Sequence, residues 1–219
     1  MRMRRKPWVR DELAKFEFFI DNPCDNIGNW QQKFKNKQPI YLELGCGKGS
    51  FIAKLAANNS NINFIAVDIK SEVLGIAKRN IEEEFKKLKR DIDNVLITAQ
   101  EIGLIQNMLN EKDVIDRIYI NFCNPWPKPR HNKRRLTYPT YLEKYKVFLK
   151  PGGEIWFKTD DDDLFKATKR YLEQTGFKII KETEDLHNEN FIENIITEHE
   201  EMFTSHGIKI KAIIARNSE

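Results

Sequence analysis

The sequence predicts an α/β fold built on a mostly parallel sheet of seven strands, with helices on both faces of the sheet. Two observations lead to this prediction. From residue 40 onward, short apolar segments alternate with longer amphipathic ones, and the connections between them are short. The chain has 219 residues, of which 40% are hydrophobic, and this is enough for one sizeable core.

Three strands are predicted in the first half of the chain, each an apolar run bounded by turn residues. They cover residues 40–44, 62–68 and 94–98. A helix follows the glycine-rich turn after the first strand, and a long helix over 71–90 begins with Ser71 as its N-cap. A short helix covers 101–110.

The second half continues the alternation. A strand at 115–122 leads into a loop with three prolines, which we expect to exclude regular structure. A helix over 160–176 has acids at its start and Gly176 just past its last turn. The other predicted elements are a helix at 138–149, a turn at 151–153, strands at 154–159, 177–183 and 208–216, and a helical segment near 196–205.

The start of the chain gives no clear periodic pattern. Residues 11–38 match neither the helical nor the strand period. We therefore assign residues 1–38 to a basic N-terminal extension and residues 39–219 to the main domain.

The positive charge of the chain is concentrated in two short stretches. Residues 1–10 and residues 128–135 each hold five basic side chains and no acid, whereas the rest of the chain holds 27 basic and 33 acidic ones. This distribution favours a polyanionic partner, and nucleic acid first. The alternative for either stretch alone is a solvated surface.

The cysteine count and the hydropathy pattern narrow the class of protein further. Three cysteines without a Cys-x-x-Cys pair favour a reduced, cytoplasmic protein over a disulfide scaffold or a zinc site. No apolar run approaches about 18 residues, so no membrane span is expected. Charged residues soon after the basic start argue against a cleaved signal peptide.

Three glycines follow the first strand, where ligands of parallel α/β sheets bind. Gly45, Gly47 and Gly49 in the segment ELGCGKGS let the backbone approach a ligand closely. A dinucleotide fingerprint would need glycine at Ser50, and a phosphate-binding loop would need Ser or Thr directly after Lys48. The pattern acid-x-Gly-x-Gly-x-Gly is instead typical of methyltransferases that use S-adenosylmethionine.

Acids stand at the ends of the first three predicted strands. Glu43 lies beside the glycine turn, Asp68 ends the second strand, and Glu101 follows the third. S-adenosylmethionine carries an ammonium, a sulfonium and a ribose diol but no phosphate, so carboxylates suit it. An acid in the position of Asp68 accepts hydrogen bonds from a ribose diol in related folds. The alternative for each is a surface acid or a helix cap.

The loop after the fourth strand is the most specific segment. It reads NPWPKPRHNKRRLTY, and the chain also contains the motifs MRMRRKPW, ELGCGKGSF, FKTDDDDLF and TEHE. On these motifs the chain closely resembles the bacterial tRNA (guanine-N7)-methyltransferase family, and the resemblance covers nearly the whole chain. The resemblance implies a Rossmann-like class I methyltransferase fold and S-adenosylmethionine as cofactor. It also implies methyl transfer to guanine N7 at position 46 in the variable region of tRNA.

The resemblance also implies roles for individual residues. The cofactor-binding set is Glu43, Gly45, Gly47, Asp68, Glu101 and Asn124. The substrate-binding set is Lys128, Asp160, Thr197, Glu198, His199 and Glu200. The RNA-contact set is Arg130, His131, Asn132, Lys133, Arg134 and Arg135.

Asn124 is the assigned catalytic position, and it departs from the family. Many members have aspartate there, but an amide carries no charge, so an acid or base role is not transferred. Guanine N7 has no proton and presents a lone pair, so we expect orientation and exclusion of water to suffice. We predict that Asn124 positions cofactor or base. Asp160 and Glu200 are predicted to accept hydrogen bonds from the guanine edge, and Asp161 to Asp163 to interact with the helix dipole.

Other functions stay open at this stage. Asn124-Pro125-Trp126 distantly resembles the Asn-Pro-Pro-aromatic motif of amino-group methyltransferases, but its order differs. A cofactor-binding RNA-interaction module without catalysis is a third hypothesis. Trp126 either stacks on an extruded base or packs against the prolines. No metal is required by this chemistry, and the chain is expected to act on tRNA as a monomer or homodimer.

Overall fold

A computed structural model describes residues 8–189 and 194–218 of the chain. Four of the basic residues of the N-terminal stretch, Arg2, Arg4, Arg5 and Lys6, therefore lie outside the described residues. The chain forms two compact units, which divide after Asp113. The fold is α/β, and the described residues contain eight strands, four in each unit.

The first unit consists of four parallel strands with helices between them. The strands are β1 (Phe19–Ile20), β2 (Ile40–Leu44), β3 (Asn63–Asp68) and β4 (Val95–Ala99), in the spatial order β1-β4-β3-β2. The α-helices are α1 (Trp8–Leu13), α2 (Ser50–Asn58) and α3 (Ser71–Lys87). Short 3₁₀ helices cover Pro23–Asn26, Trp30–Lys33 and Ile102–Asn107.

The apolar runs of β2, β3 and β4 form a buried parallel sheet. Leu42 and Leu44 of β2 are fully buried, as expected for parallel strands that are covered on both faces. Leu44 pairs with Val67, and Asp68 pairs with Ala99, so the three strands end side by side. This register places the residues that follow each strand at one edge of the sheet.

Helix α3 packs through one apolar stripe and begins differently from the prediction. Its buried residues recur at helical spacing, namely Leu74, Ala77, Ile81 and Phe85. The predicted N-cap was wrong, because Ser71 is the first helical residue and Lys70 precedes it. The Lys70 N–H donates to Oδ1 of Asp68 at 3.1 Å, so the acid at the end of β3 stabilises this start of the helix.

Part of the segment predicted as an N-terminal extension pairs with the sheet. Phe19 of β1 pairs with Ile97 of β4, and the Thr98 hydroxyl donates to the Ile20 carbonyl at 2.7 Å. The predicted count of seven strands is therefore one too low. Two residues are too few to show a strand period, which explains the omission. The boundary after residue 38 stays a prediction.

The second unit contains one parallel and two antiparallel strand pairs. Its strands are β5 (Ile115–Asn121), β6 (Leu149–Thr159), β7 (Phe177–Thr183) and β8 (Lys211–Asn217), in the order β5-β6-β8-β7. Strands β5 and β6 are parallel, whereas β8 runs antiparallel to β6 and β7. Its α-helices are α4 (Pro139–Lys146), α5 (Asp162–Gln174) and α6 (Glu198–Ser205), with a 3₁₀ helix at Pro129–Arg134.

Two local predictions in the second unit were wrong, and one is confirmed. The predicted turn at 151–153 lies inside β6. Pro129 does not exclude regular structure, because it begins a 3₁₀ helix, where the missing N–H of proline costs nothing. Gly176 follows the C-cap of α5 with φ +76°, as predicted for a residue that ends a helix.

None of the helices in the part of the chain that the structure describes combines the length and the apolar character needed to cross a bilayer.

Gly49 fixes how closely the glycine turn packs on α3, and its substitution should be costly. It has φ +69°, and an added Cβ would lie 2.6 Å from the Cβ of Ala77. We expect Gly49→Ala to lower the free energy of unfolding in urea by about 2–5 kcal/mol, from backbone strain and overpacking together. Gly47→Ala is the matched control, because Gly47 has φ +53° and open space around it. Equal losses in the two variants would contradict the packing role.

Candidate functional site

The glycine turn is held against the end of β3 by backbone hydrogen bonds. The N–H groups of Gly45 and Cys46 both donate to the Val67 carbonyl, at 2.8 and 3.0 Å. The Gly47 N–H donates to Oδ2 of Asp68 at 2.9 Å. Asp68 therefore stabilises the glycine turn through its side chain.

The three predicted cofactor acids of the first unit lie at or just beyond the ends of adjacent parallel strands: Glu43 near the end of β2, Asp68 at the end of β3 and Glu101 after β4. Glu43 is only 3% exposed, Asp68 is half-buried, and Glu101 is exposed. Glu101 has extended backbone and immediately precedes the 3₁₀ helix at Ile102–Asn107. The structure thus brings Glu43 and Asp68 together at the glycine turn and places Glu101 after the next strand, β4.

The thiol of Cys46 reports the electrostatics of this turn. Its pKa is raised well above the usual range, first by burial and then by the negative charges of Glu43 and Asp68. Burial and a negative field keep the thiol protonated, so Cys46 is a poor nucleophile. The same field favours a cation at the turn.

The turn fits S-adenosylmethionine, the cofactor that the sequence implies. A Cβ at Gly47 would meet no atom within 4 Å, so the turn presents bare backbone to open space. Carboxylates at Glu43 and Asp68 are suited to an ammonium, a sulfonium or a ribose diol, whereas a phosphate would be repelled. Both the shape and the charge of the turn are therefore compatible with this cofactor.

In the second unit, the loop after β5 is fixed by its own side chains. Oδ1 of Asn124 accepts a hydrogen bond from the Trp126 N–H at 3.0 Å. Nε of Arg135 donates to the Pro125 carbonyl at 2.7 Å. The amide of Asn124 therefore closes a local turn in the loop, and the residue remains exposed to solvent.

Arg135 differs from the other residues of the predicted RNA-contact set. It is 5% exposed and holds the proline loop, so it positions that loop instead of facing solvent. Arg130, Lys133 and Arg134 are exposed, and His131 and Asn132 are half-buried. Lys128 is also exposed, and its carbonyl accepts a hydrogen bond from the His131 N–H at 2.8 Å.

The acids before and within α5 have separate roles. Oδ1 of Asp161 accepts from the Leu164 N–H at 2.6 Å, so Asp161 is the N-cap of the helix. A hydrogen bond from Nζ of Lys211 lowers the pKa of Asp162. Asp160 is half-buried, and it is its carbonyl that accepts from Lys211, at 3.1 Å. The predicted N-terminal helix acids are confirmed.

Glu200 lies in a buried polar cluster, which the sequence did not indicate. Its side chain is 0% exposed and forms an ion pair with Lys158 at 3.2 Å. Its carboxylate also accepts from Asn194 Nδ2 at 2.7 Å and, in a capping box with Thr197, from the Thr197 N–H at 3.3 Å. Lys158 directly follows the apolar run Ile155-Trp156-Phe157 within β6, and a lysine at that place in a strand is the one sequence feature that points to a buried partner.

The burial of Glu200 changes the prediction for guanine recognition. A carboxylate surrounded by three donors of its own chain is not presented to a base, so this part of the hypothesis does not fit the structure. Glu198 and His199 of the same stretch are exposed, and the His199 ring stacks on Phe122 at 5.7 Å between centroids.

The described residues group no set of metal ligands, and the thiols of Cys46 and Cys123 are held protonated by burial. Among residues 8–189 and 194–218, no cluster of three or more His, Cys, Asp or Glu side chains could hold a metal ion. Burial raises the pKa of Cys123 to about 12, so its thiol is protonated at neutral pH. All three cysteines are free.

The chain is similar to known proteins over nearly its whole length. A family model described as a putative methyltransferase matches residues 37–213. A tRNA (guanine-N(7)-)-methyltransferase of Clostridium botulinum is 58% identical over 215 residues, which are 98% of each chain. One of Clostridium perfringens is 57% identical over 217 residues, 99% of each chain.

A solved structure described as an antibiotic-related methyltransferase has the same fold. It is 18% identical, has a TM-score of 0.57, and the match covers 94% of this chain and 92% of that one. This likeness confirms the Rossmann-like methyltransferase fold. Together with the identity to full-length relatives, it shows that the chain belongs to the tRNA (guanine-N7-)-methyltransferase family.

Proposed function

We propose that this chain is an enzyme that transfers a methyl group from S-adenosylmethionine to N7 of a guanine in tRNA. The observation that carries the proposal is the open glycine turn, with Glu43 and Asp68 at the ends of adjacent strands. Family membership supplies the substrate class, because the relatives that are 58% and 57% identical carry that activity in their names.

The first unit supplies the residues that would hold the cofactor. Glu43 provides a buried carboxylate for its cationic part, and Asp68 provides acceptors for its ribose hydroxyls. Gly45 and Gly47 allow its close approach to the backbone, and Glu101 stands after the next strand. When bound, S-adenosylmethionine supplies a methyl group on a positively charged sulfur.

The reaction itself needs no proton transfer. Guanine N7 carries a lone pair and no proton, so it would accept the methyl group of the bound cofactor without a base, and the electron pair of the broken carbon–sulfur bond would stay on sulfur. The chain must therefore orient the base and exclude water. The exposed, turn-closing amide of Asn124 suits the positioning role predicted for it, and no general base is required.

The second unit supplies the residues that would bind RNA. Arg130, Lys133 and Arg134 form an exposed cationic stretch suited to phosphates, with His131 and Asn132 beside them. Asp160 is half-buried, and we propose its carboxylate as the acceptor for the guanine N1–H and N2–H₂ groups. Lys128 and the exposed Glu198 and His199 complete this proposal, whereas Thr197 and Glu200 would position that stretch from the interior.

The finer points of the proposal come from the family resemblance. We place the target guanine at position 46 in the variable region of tRNA. We place the enzyme in the cytoplasm, where its three free cysteines would stay reduced.

The test uses purified full-length protein, unmodified tRNA transcript and tritiated S-adenosylmethionine. We expect label to enter the tRNA and borohydride–aniline treatment to cleave the product at one nucleotide, which is the behaviour of 7-methylguanosine. Label without cleavage would identify an exocyclic amino group as the acceptor. The absence of label despite cofactor and tRNA binding would indicate a non-catalytic module and overturn the proposal.

A further inference from the structure

The backbone of Trp126 is in an unfavourable conformation. Its φ is +44°, in the left-handed region, and only three non-glycine residues among those that the structure describes have positive φ. A bulky side chain reaches this region only when the surrounding structure enforces it, and such residues cluster at functional sites.

Two side chains enforce this conformation. Asn124 accepts from the Trp126 N–H at 3.0 Å, and Arg135 donates to the carbonyls of Pro125 and Trp126, at 2.7 and 3.5 Å. Because Arg135 is 5% exposed, its guanidinium is anchored in the interior. The loop is therefore built to hold one tryptophan in a fixed orientation.

The Trp126 side chain is not placed as a core residue would be. Trp30 of the first unit is 0% exposed, and its indole N–H donates to the Met108 carbonyl at 2.6 Å. Trp126 is half-buried, and within the described ranges its indole N–H has no hydrogen-bond acceptor. Packing against a core does not explain why the loop maintains this conformation.

Two side chains of the RNA-contact set, Arg134 and His131, contact the indole ring. The guanidinium carbon of Arg134 lies 5.1 Å from the ring centroid, and the His131 ring meets it edge-on at 5.7 Å. An aromatic ring beside exposed cations is the arrangement with which proteins bind unpaired RNA, with bases stacked on the ring and phosphates bound by the cations.

We propose that Trp126 is a stacking platform for an unpaired nucleobase of the RNA substrate, held in place by Asn124 and Arg135. The inference rests on the proposed function and deepens it, because it makes the proline loop a binding site for unpaired RNA. Arg134 then has two roles, one in orienting the indole ring and one in binding the adjacent phosphate.

The first test measures affinity for unmodified tRNA transcript. We expect Trp126→Ala to weaken binding by about 5- to 150-fold, the range for loss of one stacked base, and Trp126→Phe to stay within about threefold of wild type. Trp126→Gly should bind as weakly as Trp126→Ala yet unfold in urea at no lower concentration than wild type, because glycine adopts φ +44° without strain. A packing role predicts the opposite, a glycine variant that unfolds more easily.

The second test follows tryptophan fluorescence. We expect tRNA to quench the emission of wild-type protein, and Trp126→Phe to bind tRNA but lose most of that quenching. Trp156→Phe is the control, because Trp156 of β6 lies under the Arg117 guanidinium at 4.1 Å, and this variant should keep the quenching. Heparin, a polyanion without bases, should bind without quenching.

The outcomes separate this inference from the proposed function. Methyl transfer by wild type, together with unchanged affinity in Trp126→Ala and unchanged quenching in Trp126→Phe, would overturn the platform alone. Loss of affinity and quenching in a protein that transfers no methyl group would support the platform and overturn the enzymatic proposal.

Discussion

Replacing Glu43 by glutamine should weaken S-adenosylmethionine binding by roughly 10- to 150-fold. This range corresponds to the roughly 1.5–3 kcal/mol of a hydrogen bond to a charged group. Glu43 is the most buried acid at the glycine turn, so its charge is little screened by water. Isothermal titration calorimetry with the cofactor measures the effect directly.

The Glu43→Gln experiment has a control and an independent readout. Glu82→Gln removes an acid of the same unit that is 38% exposed and pairs with Lys78 along α3, and cofactor affinity should not change. The pKa of Cys46 should fall in Glu43→Gln, because the Glu43 charge raises it in the wild type. If Glu43→Gln binds the cofactor with wild-type affinity while the pKa of Cys46 falls, the variant is folded and Glu43 does not bind the cofactor.

The fold could be predicted where apolar runs are long. Strands β2 and β7 have the predicted bounds, and β3, β4 and β5 differ by one residue at one or both ends. For β2 to β5 the reason is that a strand buried on both faces has a nearly continuous apolar sequence. Strand β1 was missed because two residues carry no period. The N-cap of α3 was predicted one residue too late, at Ser71 instead of Lys70, whose N–H is bound by Asp68 of the preceding strand.

The part of the site that could be predicted is the part formed by residues at the ends of parallel strands. Parallel register brings Glu43 and Asp68 to one edge, and this follows from sequence once the strands are assigned. The burial of Glu200 and Arg135 could not be predicted from the sequence. Glu200 is paired with Lys158, which is 42 residues away, and Arg135 with the Pro125 carbonyl of the proline loop, which is ten residues away. A charged side chain is predicted to be exposed unless its partner is known, because charged residues are rarely buried without one.

The pairing of Lys158 with Glu200 gives the second large prediction, that Lys158→Met lowers the free energy of unfolding by about 3–5 kcal/mol. Both side chains are buried, at 8% and 0% exposure, and removal of the lysine leaves a buried carboxylate whose remaining partners are Asn194, the Thr197 N–H and the His187 ring, at 3.3 Å. The matched control is Lys169→Met. Lys169 of α5 pairs with Glu182 of β7 at 2.7 Å, but both are about 40% exposed, so its loss should cost less than about 1 kcal/mol.

A double variant separates the charge pair from simple loss of packing. Glu200→Gln keeps the shape of the side chain and its ability to accept from the Thr197 N–H, so in Lys158→Met/Glu200→Gln no buried charge is left without its partner. The double variant should therefore be destabilised by less than the sum of the two single changes, as measured by urea unfolding. Additive losses would mean that the two charges do not interact. Since Glu200 caps α6 with Thr197, a positive coupling would show that the ion pair stabilises the stretch that presents Glu198 and His199 to solvent.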